Sequence, residues 1–116
     1  MVKVASIDLG SNSTRMLIAD VTNGILTTIY KEHQVTRMAD KLSETKIISK
    51  EATKRVLKVL AGYFKTINKN NVENIQIVGT AALRDAKNSQ EIIQLIEKKF
   101  GFEVDIVSGE EEGVLT

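Results

Sequence analysis

Cysteine and proline are missing from the 116-residue chain altogether, and histidine occurs once. Without cysteine there is no disulfide, no thiolate nucleophile and no cysteine-type zinc site, and His33 alone cannot build a histidine-rich one. A hard, oxygen-liganded ion such as Mg²⁺ is the metal chemistry that remains. From the lack of proline no function follows. Net charge is scarce too: 16 Lys and Arg against 15 Asp and Glu leave a formal +1. There is no broad positive field for a polyanion, so any phosphate must be met by individually placed Arg and Lys. Sequence-specific nucleic-acid binding is not expected. Long apolar runs are also absent: Asp8 interrupts the first, and no later stretch approaches a membrane span. The expectation is a cytoplasmic protein that does not associate with a membrane. What is present is an ordinary globular composition, 42% hydrophobic and 27% charged, in a length that supports the core of one domain.

The chain is organised around its first apolar run. Val2 to Ile7 alternates apolar and polar residues and is rich in β-branched ones, which predicts a strand. Asp8 stands where that strand ends, and a second strand, Thr14 to Val21, begins almost at once. The chain must therefore reverse tightly through Gly10, Ser11, Asn12 and Ser13. Gly10 lacks the side chain that would block a ligand. Successive backbone amides in such a turn, with Ser11, Asn12 and Ser13 as further donors, can line an anion site. The same residues also make an ordinary turn.

Further along, Asn23-Gly24 is a strong two-residue hairpin signal and leads into a third strand, about Ile25 to Lys31, with Ile25, Thr27 and Ile29 on one face and Leu26, Thr28 and Tyr30 on the other. Glu32 to Ile48 has weak periodicity and reads as loop with one short helical turn. Ser49 caps a long helix whose apolar positions, Ala52, Val56, Val59, Leu60, Tyr63, Phe64 and Ile67, share one face. Its Lys50, Lys54, Lys58 and Lys65 form a solvated stripe. Ile75 to Val78 is a fourth strand ending at Gly79-Thr80, and Ala81 to Lys87 is a polar strand end. Asn88 and Glu91 have the spacing of a capping box for a second helix that buries Ile92, Ile93, Ile96 and Phe100 and stops at Gly101. Phe102 to Val107 is a fifth strand. Ser108 to Thr116 resembles a helix start without its body, as if the chain were cut inside an element that continues.

Three strands followed by alternating helices and strands give an α/β mixed sheet, a meander first and then crossover helices covering the faces. This is the ribonuclease H-like order of the actin-like ATPase superfamily. Ligands of open α/β sheets sit beyond the C-terminal strand ends. Three polar clusters occupy such ends: Asp8 to Ser13, Thr80 to Lys87, and Ser108 to Glu112.

Asp8-Leu9-Gly10-Ser11-Asn12-Ser13-Thr14-Arg15, Gly79-Thr80-Ala81-Ala82-Leu83-Arg84-Asp85-Ala86-Lys87-Asn88 and Ser108-Gly109-Glu110-Glu111-Glu112 closely resemble the exopolyphosphatase and guanosine pentaphosphate phosphohydrolase family. Order and spacing match over the whole chain. Arg37-Met38-Ala39 replaces the family's usual Arg-Leu-Gly, and Lys46 stands where Gly is common. The resemblance implies that residues 1–116 are a single ribonuclease H-like domain, the first of two halves, with the second absent. It further implies Mg²⁺-assisted release of the terminal phosphate of polyphosphate, or of the γ-phosphate of pppGpp, by a protein that is a homodimer when full length. Carried over residue by residue, it makes Glu112 the catalytic carboxylate and Asp8 the metal-side acid. Gly10, Ser11, Asn12, Ser13 and Arg84 bind phosphate, with Arg15 and Arg37 as further candidates. A phosphotransferase or ATPase of the wider superfamily, and a non-catalytic nucleotide-sensing module, are the competing functions.

Overall fold

The computed structural model describes residues 2–72 and 74–107. Alternation in the first 35 residues produces β1 (Val2–Leu9), β2 (Ser13–Thr22) and β3 (Ile25–Val35), an antiparallel meander. Asn23 and Gly24 adopt φ of 52° and 76°, the two left-handed residues that a type I′ turn requires. β4 (Asn74–Gly79) pairs parallel to the other edge of β1, and β5 (Val104–Ile106) pairs parallel to β4, giving the spatial order β3-β2-β1-β4-β5. The connections carry α1 (Leu42–Thr45), α2 (Lys50–Lys69), α3 (Ala81–Asp85) and α4 (Ser89–Phe100). The result is the ribonuclease H-like arrangement that the element order implies.

One sheet face carries the core. Ala5, Ile7 and Leu9 of β1, Met16 and Ile18 of β2 and Ile77 of β4 alternate onto it. They meet Val56, Leu60 and Tyr63 of α2 and Ile92 and Ile96 of α4 in one buried cluster. Each of the Val, Leu, Ile and Met side chains among them stabilises the fold by roughly 1.5–3 kcal/mol through burial. Ser49 caps α2 as expected, its Oγ accepting from the Ala52 amide at 3.0 Å. Phe64 ties α2 to the far end of α4, stacking on Phe100 and Phe102 with centroids 4.8 and 5.3 Å away. Gly101 ends α4 at φ 80°.

Several elements differ from the sequence expectation. Among the described residues the helices cover one face of the sheet and not both, because every sheet residue of the core cluster points the same way. β3 continues to Val35, since Lys31 to Val35 pair with Leu17 to Ser13. A bulge sits in this pairing: Ile18 opposes Tyr30 while Ala19 opposes Thr28, so Ile29 is the extra residue and the simple alternation of β3 breaks there. Within the polar strand end Ala81 to Lys87, residues Ala81 to Asp85 form a short helix. Asn88 makes no side-chain cap; its Oδ1 accepts from the Ile48 amide at 2.8 Å and its Nδ2 donates to the Ile48 carbonyl at 2.9 Å.

Candidate functional site

In the parallel trio Leu9 pairs with Gly79 and Gly79 with Ile106, so the C-terminal ends of β1, β4 and β5 lie side by side. Hydrogen bonds stitch these ends into one rim. The Thr80 amide and hydroxyl both reach the Leu9 carbonyl, at 3.3 and 3.4 Å, and the Val107 amide donates to the Gly79 carbonyl at 3.0 Å. Gly79 is tight against α3: a Cβ there would lie 2.6 Å from Leu83 Cδ1. Packing of Leu83 in turn fixes the helix that carries Arg84. From the last turn of α3, Arg84 Nη1 donates to the Val107 carbonyl at 3.1 Å, and its Nε lies 3.6 Å from Asp85. Arg84 therefore sits on the rim beside the end of β5. Glu112, with the rest of the Ser108 to Glu112 cluster, lies outside the described residues.

The Gly10 to Ser13 turn occupies the same rim at the end of β1. Its glycine is required by the turn itself, since a Cβ on Gly10 would stand 2.8 Å from the Ser13 carbonyl oxygen. The turn thus supplies a reason for Gly10 that stands beside the expected room for a ligand. The Gly10 amide is likewise turned inward, donating to Ser13 O at 3.0 Å. Neither the Ser11 nor the Asn12 amide donates to a backbone carbonyl among the described residues. The carbonyls of the turn face the segment after β3: Asn12 O accepts from the Thr36 and Arg37 amides at 3.1 and 3.0 Å, and Ser11 O from the Ala39 amide at 3.0 Å. Arg37, from the stretch that sequence resolves least, is thus brought against the turn through its backbone, at φ 49° and with an exposed side chain.

Asp8 and Arg15 are directly opposite in the β1–β2 ladder, and Arg15 opposes His33 in the next. All three point to the face away from the helices. With Ser6, Leu17 and Lys31 they line a cavity of about 620 Å³. Asp8 is half-buried and its Oδ1 is withdrawn from solvent. Among the described residues no group of three His, Asp or Glu gathers to hold a metal. A single hard carboxylate such as Asp8, half-buried at the end of β1, nevertheless fits Mg²⁺, which takes one or two carboxylates and completes its shell with water and other oxygens. A second cavity of about 460 Å³ lies between β3 and α2, lined by Tyr30, Val35, Arg55, Lys58 and Gly62 among others, and contains none of the expected site residues.

Sequence reading missed the supports behind the turn. Thr14 and Thr36 are fully buried and share a hydroxyl–hydroxyl hydrogen bond of 3.0 Å, and Tyr63 donates to the Thr14 carbonyl at 2.6 Å. Tyr63 looks like any apolar helix position, and nothing in the spacing of Thr14 and Thr36 pairs them.

Residues 17–116 match the model of the Ppx/GppA phosphatase family. The chain belongs to that family. It is 39% identical over 108 residues to the guanosine-5'-triphosphate,3'-diphosphate pyrophosphatase of Vibrio cholerae, covering 93% of this chain and 22% of that protein. The crystal structure of the Aquifex aeolicus family member superposes with a TM-score of 0.92 at 34% identity, over 97% of this chain and 37% of that one. An exopolyphosphatase from Cytophaga hutchinsonii gives 0.92 at 26% identity, over 97% and 36%. The chain thus spans well under half the length of these family members. RuvC of T. thermophilus, at 13% identity and a TM-score of 0.54, shares the fold alone.

Proposed function

We propose that residues 1–116 are the first half of a metal-dependent phosphohydrolase that releases the terminal phosphate of inorganic polyphosphate or the γ-phosphate of pppGpp. The observation that carries the reading is the rim, where the Asp8 end of β1, the Gly10 to Ser13 turn and the Arg84 helix are joined by backbone hydrogen bonds in a chain of this family.

Phosphoryl transfer to water is catalysed mostly by placement and charge stabilisation. In the proposed mechanism the turn at Ser11, Asn12 and Ser13 holds phosphate oxygens through amide and hydroxyl donors. Arg84 clamps a non-bridging oxygen pair, for which the guanidinium fork is suited. Arg15 and Arg37 flank the turn and supply further positive charge. Glu112 takes the proton of the attacking water as the bond to the leaving phosphate breaks. Asp8 would hold Mg²⁺, directly or through water, and the ion when bound neutralises developing negative charge.

The test joins residues 1–116 to the remaining part of the Aquifex aeolicus relative and follows phosphate release from polyphosphate and from pppGpp with Mg²⁺. Turnover is expected on at least one, and Glu112→Ala is expected to lower it by about 10²–10⁴-fold while substrate still binds. Undiminished turnover in that variant would remove Glu112 from its role. Label transfer from ATP to a small acceptor, without phosphate release to water, would make the protein a phosphotransferase instead.

A further inference from the structure

We infer that Arg55, on the second turn of α2, is a positioning residue for the Gly10 to Ser13 turn, acting through the Thr36–Ala39 segment; its functional meaning rests on the phosphate-binding reading above. Arg55 lies away from the rim motifs, and its donors are directed at main-chain oxygens. Nε donates to the Thr36 carbonyl at 2.7 Å and Nη2 to the Arg37 carbonyl at 3.3 Å. Among the described residues it forms no ion pair. A half-buried guanidinium bound to two successive carbonyls clamps the chain where it must be clamped, because Arg37 is held at φ 49°, a conformation unfavourable for any residue with a Cβ.

The same two residues turn their amides the other way, onto the Asn12 carbonyl, and the Ala39 amide binds the Ser11 carbonyl. A trans peptide is planar, with its N–H opposed to its C=O. Pinning the carbonyls of Ser11 and Asn12 toward the Thr36–Ala39 segment therefore aims the amides of Asn12 and Ser13 away from it. Two successive amides directed to one side, away from the clamped segment, are the donor pair that an anion nest requires. Arg55 thus fixes, from the helix side of the sheet, the direction in which the turn presents its donors. A lysine could reach one carbonyl as a point charge but could not span both with a fork.

The test uses the 116-residue chain labelled with ¹⁵N, in wild-type form and as Arg55→Met, Arg55→Lys and the exposed control Lys54→Met. The first readout is amide hydrogen exchange at Thr36, Arg37 and Ala39, taken relative to Leu60 inside α2 so that global stability cancels. Arg55→Met is expected to accelerate exchange at the three loop amides by about tenfold or more, the loss of a charge-assisted hydrogen bond. Arg55→Lys should fall between it and wild type, and Lys54→Met should match wild type. Unchanged relative protection in both Arg55 variants would overturn the proposal, and if the Met variant does not fold, the Lys variant decides alone. The second readout is titration with tripolyphosphate, followed at the Asn12 and Ser13 amides. Equal affinity and equal shifts in Arg55→Met and wild type would overturn the positioning role. No response in wild type would count against phosphate binding at the turn, while the exchange result would still decide the role of Arg55.

Discussion

Tyr63 points from α2 into the core and holds the first residues of β2 through the Thr14 carbonyl. Burial raises its pKa from 10.0 to about 12, with the negative potential of Glu32 and Tyr30 adding to the effect. A folded-state pKa above the unfolded value means that the native state keeps the proton longer. The stability linked to this phenol is complete below pH 10.0 and is lost as pH rises through about 12. A shift of that size corresponds to roughly 2–3 kcal/mol. Chemical denaturation across that interval should show wild-type stability falling more steeply than that of Tyr63→Phe, and parallel curves would contradict the assignment. At neutral pH the Phe variant should lose about 1 kcal/mol, the net worth of one buried hydrogen bond. The sequence announces Tyr63 only as an apolar helix position. Its hydroxyl partner is 49 residues away, beyond the reach of any local pattern. Gly10, by contrast, stands out in the sequence, and its turn supplies a further reason: the atom it avoids belongs to Ser13.

At the scale of elements, the α1–α2 linker and the α3–α4 linker clasp each other. The Lys46 carbonyl accepts from the Lys87 amide at 2.9 Å, and Asn88 binds both polar groups of the Ile48 backbone. Ile48 is buried, so its amide and carbonyl need protein partners, and an Asn side chain offers an acceptor and a donor side by side. This is why the capping-box spacing at Asn88 misleads: the residue satisfies a distant strand of chain in place of its own helix. Lys46 ends α1 at φ 64°, the conformation that suits glycine. Lys46→Gly keeps the backbone hydrogen bonds, relieves the left-handed strain and gives back some of the gain through unfolded-state entropy. A net stabilisation of about 0.5–1 kcal/mol is expected from the denaturation midpoint. The amphipathic helices α2 and α4 were legible because one repeating apolar face decides them. The last third of β3 was not, because an edge strand with nearly every side chain exposed has no alternation to read.

For the whole molecule, the rim was legible because parallel strands must bring their C-terminal ends together once the order of elements is known. Which sheet face stays uncovered was not, since it depends on how the helices pack. The face that no described helix covers carries Asp8 and Arg15 and opens into the larger of the two cavities. A rim with a wall on one side cannot exclude water from a reacting phosphate. The 116-residue chain alone is therefore expected to release no phosphate above background from polyphosphate or pppGpp, measured beside the joined protein. Robust hydrolysis by the chain alone would refute this.

β1 also sets a schedule for synthesis. Its partner on one side arrives within a few residues, whereas the strand on its other side ends at Gly79, 70 positions after Leu9 (79 − 9). At an elongation rate of about 5–20 residues per second, the nascent hairpin waits several seconds with that edge unpaired. That interval is when a chaperone, or a neighbouring nascent chain, has its best opportunity to bind.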